Sequence, residues 1–391
     1  MTETLEVRIE KLVYGGDGLG RVEGRAVFVS GTAPGDLVRA RVVEQKKGFA
    51  RAELVEIVEP GPSRREAPCP VYGRCGGCQL QHVDYATQVE AKTAFVRETL
   101  ERIGRLTLPG EVRMHADPSH EFGYRVRATA HLAATREGVI FGFFGARSHR
   151  IVDVESCPLL VPDLDAAWRR ARAERGGLHR VKTLDLAAGD SQVATDPPIA
   201  AVGGAELETE IEGVRYRFSP SVFFQTNRHL LGALVRGATE GEETGGLALD
   251  LFAGVGLFAI PLARRFERVV AVEGDSRAAA FTRANARAND ASAVDVVVEP
   301  VEHWLEREPV EPGSIDHALL DPPRAGLGLD ATRALARLAP RRVVYVSCDP
   351  STLARDLRVL VDAGYTLESV DAYDLFPQTY HVETIAKLGI R

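Results

Sequence analysis

The 391-residue sequence has only five cysteines, no basic start leading into an apolar run, and no long hydrophobic stretch. A sparse, odd cysteine count argues against a disulfide framework. The polar, acidic opening MTETLEVRIE predicts no signal peptide. A membrane helix needs about 20 apolar residues in a row, so none is expected and the chain reads as cytoplasmic. Positive charge is also in deficit. A net charge of −7 disfavours nonspecific coating of nucleic acid but leaves room for a local basic patch. No long repeat, low-complexity tract or obligate protein partner is evident.

What is present divides the chain. Residues 1–59 are short alternating runs broken by glycine, which predicts a small antiparallel, OB-like barrel. Such barrels often bind nucleic acid, although the pattern also suits an SH3-like barrel. Pro60, Gly61, Pro62 and Pro68 then mark a boundary. Apolar residues from Tyr85 to Arg105 recur at helical spacing. Residues 112–160 look strand-rich, and 161–185 begin as a charged helix. A strand and turn, VRYRFSPSVFFQTN, precede a helix after His229 and a linker, EGEETGG. From Leu247 strands and helices alternate, which predicts a mostly parallel α/β sheet.

Cys69, Cys75 and Cys78 have the spacing C-x5-C-x2-C, and Cys157 follows far downstream. Four soft ligands suit zinc or an iron–sulfur cluster, and one compact triplet with a distant fourth is closer to a cluster's habit. That leaves Cys348, at the end of the apolar run VVYVSCDP. Ligands of open parallel sheets sit just beyond the C-terminal ends of strands. Cys348 is therefore a nucleophile or a small core residue. Around 120–150, Arg125, Arg127, Arg136, Arg147 and Arg150, with His120, His131 and His149, form either a basic binding patch or a solvated charged face.

The run Asp250–Gly256, DLFAGVG, lies between a strand and a helix. Gly254 and Gly256 let backbone approach a ligand. GVGLFA keeps only the first glycine pair of the dinucleotide fingerprint GxGxxG. Glu273 ends the next strand, where a carboxylate can accept both hydroxyls of a ribose. Asp321 ends a later strand as DPPRAG. The set resembles the S-adenosyl-L-methionine methyltransferase fold, with a dinucleotide-binding domain as the alternative.

With CPVYGRCGGCQLQH, Cys157-Pro158, SPSVFFQTN, DPPRAGL, VSCDPSTLARDL and HVE added, the whole chain resembles the RNA uracil-C5 methyltransferases, in their TRAM-bearing, iron–sulfur branch. The resemblance implies an α/β multidomain protein in three parts. Residues 1–60 would form the TRAM barrel. Residues 61–215 would form a central α+β iron–sulfur and RNA-binding domain, its helix near 85–105 packing on the last domain. Residues 216–391 would form a Rossmann-like class I methyltransferase domain. It implies a [4Fe–4S] cluster on Cys69, Cys75, Cys78 and Cys157, and S-adenosyl-L-methionine as methyl donor. Cys348 would attack C6 of a uracil, and Glu383 would remove the C5 proton, with His381 in a supporting role. Gln225, Phe252, Gly254, Glu273 and Asp321 would contact cofactor or substrate. The target base must be flipped out of its stack, and Phe223 and Phe224 are stacking candidates against a core-packing alternative. Arg125 and Arg127 would meet RNA. Ribosomal RNA, specifically 23S, is favoured over transfer RNA by association with the branch. The remaining alternative is a non-catalytic iron–sulfur RNA-binding protein. Two positions depart from the family pattern. Leu257 follows Gly256 where a polar residue is common, and Pro300 stands where an acid or amide usually meets adenine. Weaker or rearranged adenine contacts are expected.

Overall fold

The computed structural model describes residues 4–241 and 244–390. Met1–Glu3 of the polar opening, Glu242 and Glu243 of the linker, and Arg391 lie outside the described residues. No helix among the described residues is long and apolar enough to cross a membrane.

Five strands open the chain: β1 (Thr4–Leu12), β2 (Gly18–Val22), β3 (Arg25–Val29), β4 (Leu37–Gln45) and β5 (Phe49–Glu59). They close a barrel in the order β1-β2-β3-β5-β4. The expected all-antiparallel pattern fails at one place. β5 returns beside β3 in the same direction, as an OB-type closure requires. Alternation puts Val7, Ile9, Val27, Val29, Val38 and Ala40 inside. Asp36 locks the barrel's exit. It accepts the backbone N–H groups of Ala33 and Gly61, both at 2.7 Å, and the Arg64 guanidinium at 2.6 Å.

Helix α1 (Tyr85–Arg102) follows. Asp84 caps it, accepting from Thr87 N at 2.9 Å. Val96 and Leu100 enter a large apolar core, whereas Phe95 joins Leu12, Ala33, Leu80 and Val83 in a small core under the barrel. One helix thereby ties the barrel to the rest of the chain. The short strand β6 (Arg113–His115) comes next.

Strands β7 (Arg127–Thr135), β8 (Gly138–Phe144), β9 (Ile151–Asp153), β10 (Thr183–Ala188) and β11 (Val193–Asp196) form an antiparallel sheet in the order β11-β10-β7-β8-β9. Helix α2 (Pro162–Ala173) covers it with Leu164, Ala167, Trp168 and Ala171. The hairpin of β12 (Leu207–Ile211) and β13 (Val214–Phe218) leads to α3 (Leu231–Thr239).

The remaining elements are β14 (Gly245–Leu251), α4 (Ala259–Leu262), β15 (Phe266–Glu273), α5 (Ser276–Ala288), β16 (Val294–Val298), α6 (Val301–Glu306), β17 (His317–Leu320), α7 (Leu329–Leu338), β18 (Arg342–Ser347), α8 (Pro350–Asp362), β19 (Tyr365–Tyr373) and β20 (Glu383–Ile390). Their sheet runs β16-β15-β14-β17-β18-β20-β19-β6. Strand order reverses at β14, with β15 on one side and β17 on the other. That is the switch point where such sheets open a crevice. β6 completes the far edge beside β19, and α1 packs along α8. Residues 85–115 therefore pack with the catalytic sheet.

A buried polar clamp holds this junction. Lys92 on α1 and Asp374 after β19 are both fully buried and meet at 2.5 Å. Lys92 Nζ also donates to Phe376 O at 2.9 Å. Gln88 and Gln378 exchange hydrogen bonds at 3.0 Å, and Tyr124 donates to Pro377 O at 2.9 Å. Removing one partner of a buried ion pair strands the other charge. Lys92→Met is expected to lower stability by about 3–5 kcal/mol, read from guanidinium denaturation. Lys92→Met with Asp374→Leu is expected to recover most of that loss.

Candidate active site

The parallel strands deliver their last residues to one edge. Leu251 of β14 lies level with Val272 of β15 and Leu320 of β17. Phe252, Glu273 and Asp321 therefore leave neighbouring strand ends together. The chain turns sharply after β14, with Phe252 at φ 66° and Gly254 at φ 57°. A Cβ on Gly254 would meet nothing within 4 Å, so its face is open. Glu273 is oriented by the turn it faces. Gly254 N donates to one carboxylate oxygen at 2.8 Å and Asp275 N to the other at 2.7 Å. The remaining lone pairs suit two vicinal hydroxyls. Leu257 is buried and its carbonyl accepts Tyr216 Oη at 2.9 Å, so it serves the core. Pro300 begins α6, and the neighbouring Glu299 is paired with Arg307. The other acid nearby, Glu302, lies in the first turn of α6.

The nucleophile candidate and the base candidate meet through sheet register. β18 and β20 are antiparallel, with Ser347 opposite Thr384. The next residue of each strand in that direction is Cys348 and Glu383. A separation of 35 positions along the chain is thus cancelled by one ladder step. Glu383 is buried, with no hydrogen-bond partner for Oε1. Burial and the nearby Asp321 hold its carboxyl well above the usual range, against the pull of Arg324. Burial and Glu383 push the Cys348 thiol up to about 12, again opposed by Arg324. Burial raises Asp321 to about 7, although Gln225 Nε2 donates to it at 3.2 Å. Arg324 also lies 3.2 Å from His381 Nε2. Burial and Arg324 lower His381 to about 3, so its ring is neutral and accepts that bond.

Four side chains here were not singled out from the sequence. Asp250 is buried under the glycine turn, its carboxyl raised by burial. Arg324 supplies the positive charge among the acids. Asp349 caps α8, accepting from Ser351 N at 2.8 Å and Thr352 N at 3.2 Å. Tyr14, from the barrel, donates to the other Asp349 oxygen at 3.1 Å. Asp250, Arg324 and Asp349 sit inside the quoted motifs, so their positions were legible. Tyr14 had no local signal.

The two aromatic candidates separate. Phe223 is 67% exposed, whereas Phe224 is buried and stacks on Phe218 at 4.4 Å. Phe224 is core, because a two-residue step turns it inward with Val222. Arg127 lies under the Phe223 loop. Its guanidinium donates to Pro220 O at 2.7 Å and to Val222 O, and sits 6.0 Å from the Phe223 ring centre. Its hydrogen bonds go to protein, and it fixes the exposed ring.

Cys69, Cys75, Cys78 and Cys157 line one cavity of about 240 Å³, with Val71, Phe143, Leu159 and Leu160 in its walls. The triplet arrives on the glycine-rich loop, and Cys157 is anchored by its N–H to Asp165 at 2.9 Å. Burial pushes Cys78 up to about 12 and Cys157 up to about 11. Arg125 lines this cavity and its charge pulls those thiols down. Among the described residues, no three of these sulfurs lie within 4.8 Å of one another. That spread is too wide for a preformed single-zinc tetrahedron with Zn–S bonds near about 2.3 Å.

Comparison with known proteins agrees with this arrangement. Residues 204–389 match the tRNA (uracil-5-)-methyltransferase family, and residues 2–55 match the TRAM domain. The chain is 33% identical to a 23S rRNA (uracil(1939)-C(5))-methyltransferase of Pectobacterium atrosepticum, over 98% of this chain and 93% of that one. It is 35% identical to an RNA methyltransferase of Gloeobacter violaceus, over 99% and 96% of the two chains. A crystal structure of the Pyrococcus abyssi tRNA (uracil-54, C5)-methyltransferase with S-adenosyl-L-homocysteine superposes with a TM-score of 0.74 at 28% identity, covering 98% of this chain and all of that one. The full-length similarity at 33% identity, with the TRAM match over residues 2–55, shows the family: the chain belongs to the S-adenosyl-L-methionine-dependent RNA uracil-C5 methyltransferases, in their TRAM-bearing form.

Proposed function

We propose that the chain methylates C5 of a uridine in RNA, with Cys348 as nucleophile and Glu383 as proton acceptor. The register that sets Cys348 opposite Glu383 carries this reading. Uracil C5 is a poor nucleophile until a thiolate adds to C6. The Cys348 sulfur bonds to C6, and the C5–C6 π pair moves into an enolate centred on C5 and O4. C5 takes up the electrophilic methyl carbon that S-adenosyl-L-methionine would supply; the methyl–sulfur bond breaks, and its electron pair stays on the departing S-adenosyl-L-homocysteine. Glu383 then accepts the C5 proton. The C–H pair re-forms C5=C6, and Cys348 leaves as thiolate. Arg324 offsets the negative charge that these steps gather. Gln225, Phe252, Gly254, Glu273 and Asp321 hold cofactor or base. Phe223, exposed and propped by Arg127, is placed to stack on RNA.

We further assign a [4Fe–4S] cluster to Cys69, Cys75, Cys78 and Cys157. Four thiols lining one largely apolar cavity fit the soft-ligand set that such a cluster would need. The cluster supplies a cross-link between the 69–78 loop and the α2 side of the central sheet. Arg125 offsets its thiolate charge. The relatives' names favour ribosomal RNA, specifically 23S, as substrate. The solved neighbour acts on transfer RNA, which keeps a tRNA uridine as the second reading. The cytoplasm is where either RNA would be met.

Cys348→Ala is expected to reduce 5-methyluridine formation at least about 1000-fold. Glu383→Gln is expected to leave a covalent protein–RNA adduct, visible as a shifted band, because elimination stalls. RNA from a strain lacking the gene is the substrate, and mapping its restored 5-methyluridine identifies the target RNA. Activity retained by Cys348→Ala would refute the nucleophile.

Enclosure raises Cys348, Glu383 and Asp321 together, and the reaction needs the first two deprotonated. Single-turnover rates are therefore expected to rise with pH on the acid side, by about tenfold per unit where one of the two groups still titrates and more steeply where both do. A rate that falls from pH 6 to pH 8 would contradict the assignment.

Anaerobically purified protein is expected to hold iron and acid-labile sulfide in equal amounts, about four of each per chain. Cys157→Ser should lower both, and Cys348→Ala should change neither. Stoichiometric zinc without sulfide would overturn the cluster assignment.

A further inference from the structure

The barrel's first turn reaches the reacting cysteine. After β1 the chain turns at 13–17, closed by Val13 N donating to Asp17 O at 2.9 Å. Gly15 and Gly16 take φ of 105° and 87°, which permits the tight reversal. Gly16 is buried against Gln79 and Tyr380, where an added Cβ would lie 3.1 Å and 3.7 Å from their atoms. The turn therefore has little room to move. Tyr14 extends from it, half-buried, with its ring edge-on to Tyr380 at 5.4 Å and to Phe95 at 6.1 Å. Its hydroxyl donates to Asp349 Oδ2 at 3.1 Å.

Asp349 is the residue after Cys348. Its Oδ1 accepts the first free N–H groups of α8, and its backbone N–H donates to Ser347 Oγ at 3.2 Å. Ser347 Oγ in turn donates to Asp349 O at 3.1 Å. Both bonds act on peptide groups that follow Cys348, and the Tyr14 bond is the anchor that Asp349 receives from the barrel. The same ring packs on Tyr380, three residues before Glu383. Tyr14 touches the nucleophile's support through its hydroxyl and the base's approach through its ring.

We propose that Tyr14 is a positioning residue for methyl transfer, so that the docked barrel is a working part of the active site as well as a handle for RNA. The inference rests on the reading of Cys348 as nucleophile. Two effects follow from the geometry. The hydroxyl restrains the Asp349 carboxylate, which keeps the Cys348 sulfur aimed at C6. It also compensates part of the Asp349 charge, which otherwise disfavours thiolate. Burial and Asp349 raise the Tyr14 pKa, so the phenol stays protonated and remains a donor.

Packing alone offers a competing account, because Tyr14 borders the small core of Leu12, Leu80, Val83 and Phe95. Tyr14→Phe separates the two, since it keeps the ring and removes only the hydroxyl. The experiment uses the full chain, S-adenosyl-L-methionine and an RNA whose target uridine is replaced by 5-fluorouridine. Fluorine cannot leave C5 as a proton does, so the methylated adduct persists and its formation can be timed. Tyr14→Phe is expected to slow adduct formation by about fivefold to tenfold, the net scale of one intramolecular hydrogen bond. The pH midpoint should move upward, because less of the Asp349 charge is compensated. RNA affinity should stay within about twofold, since no phosphate contact is removed. In an Asp349→Asn background, which keeps the α8 cap, adding Tyr14→Phe should change the rate little. An adduct-forming wild type whose rate and pH midpoint Tyr14→Phe shares would overturn this inference alone. A wild type that forms no adduct would overturn the nucleophile reading and this inference with it.

Discussion

The buried Lys92–Asp374 pair governs where Glu383 stands. Both groups are out of water, so neither can lose the other cheaply. Burial lowers the Lys92 pKa, and the Asp374 charge counters that pull. The pair fixes α1 against the segment after β19, and the Gln88–Gln378 exchange and Tyr124 hold Gln378 and Pro377. That segment turns directly into His381 and Glu383. An isolated loop of this length would sample many conformations. Here its backbone is bound by a helix from another part of the chain before the strand begins.

The chemistry then follows from crowding carboxylates at strand ends. Asp250, Asp321 and Glu383 share a dry region with the Cys348 thiol, and each resists ionisation. Arg324 is the counter-charge drawn from the same turn as Asp321. A sulfonium cation among these acids favours their ionised forms.

The three portions of the chain are joined by polar contacts as much as by packing. Arg65 reaches Glu121 at 2.8 Å and Gln378 at 3.0 Å, Lys11 of the barrel reaches Glu98 of α1 at 2.6 Å, and Tyr14 reaches Asp349. The barrel does not hang on a tether. Its 13–17 turn lies against the elbow that carries Cys348 and the approach to Glu383.

The sequence by itself determined the inventory. Glycine turns, DPP, the SCDP strand end and the cysteine triplet are local patterns, and local backbone preference places them after strands whatever surrounds them. It determined the barrel too, apart from the parallel β3–β5 pairing that only closure imposes. What only the tertiary structure decided are choices between faces and partners. Phe223 and Phe224 are adjacent, yet one is exposed and the other stacks in the core. Arg125 and Arg127 read as one basic patch, yet one lines the thiol cavity and the other props a loop. Tyr14 meets a carboxylate 335 residues away. Such contacts depend on strand register and domain docking, which sum many weak long-range interactions, and no window of sequence contains them.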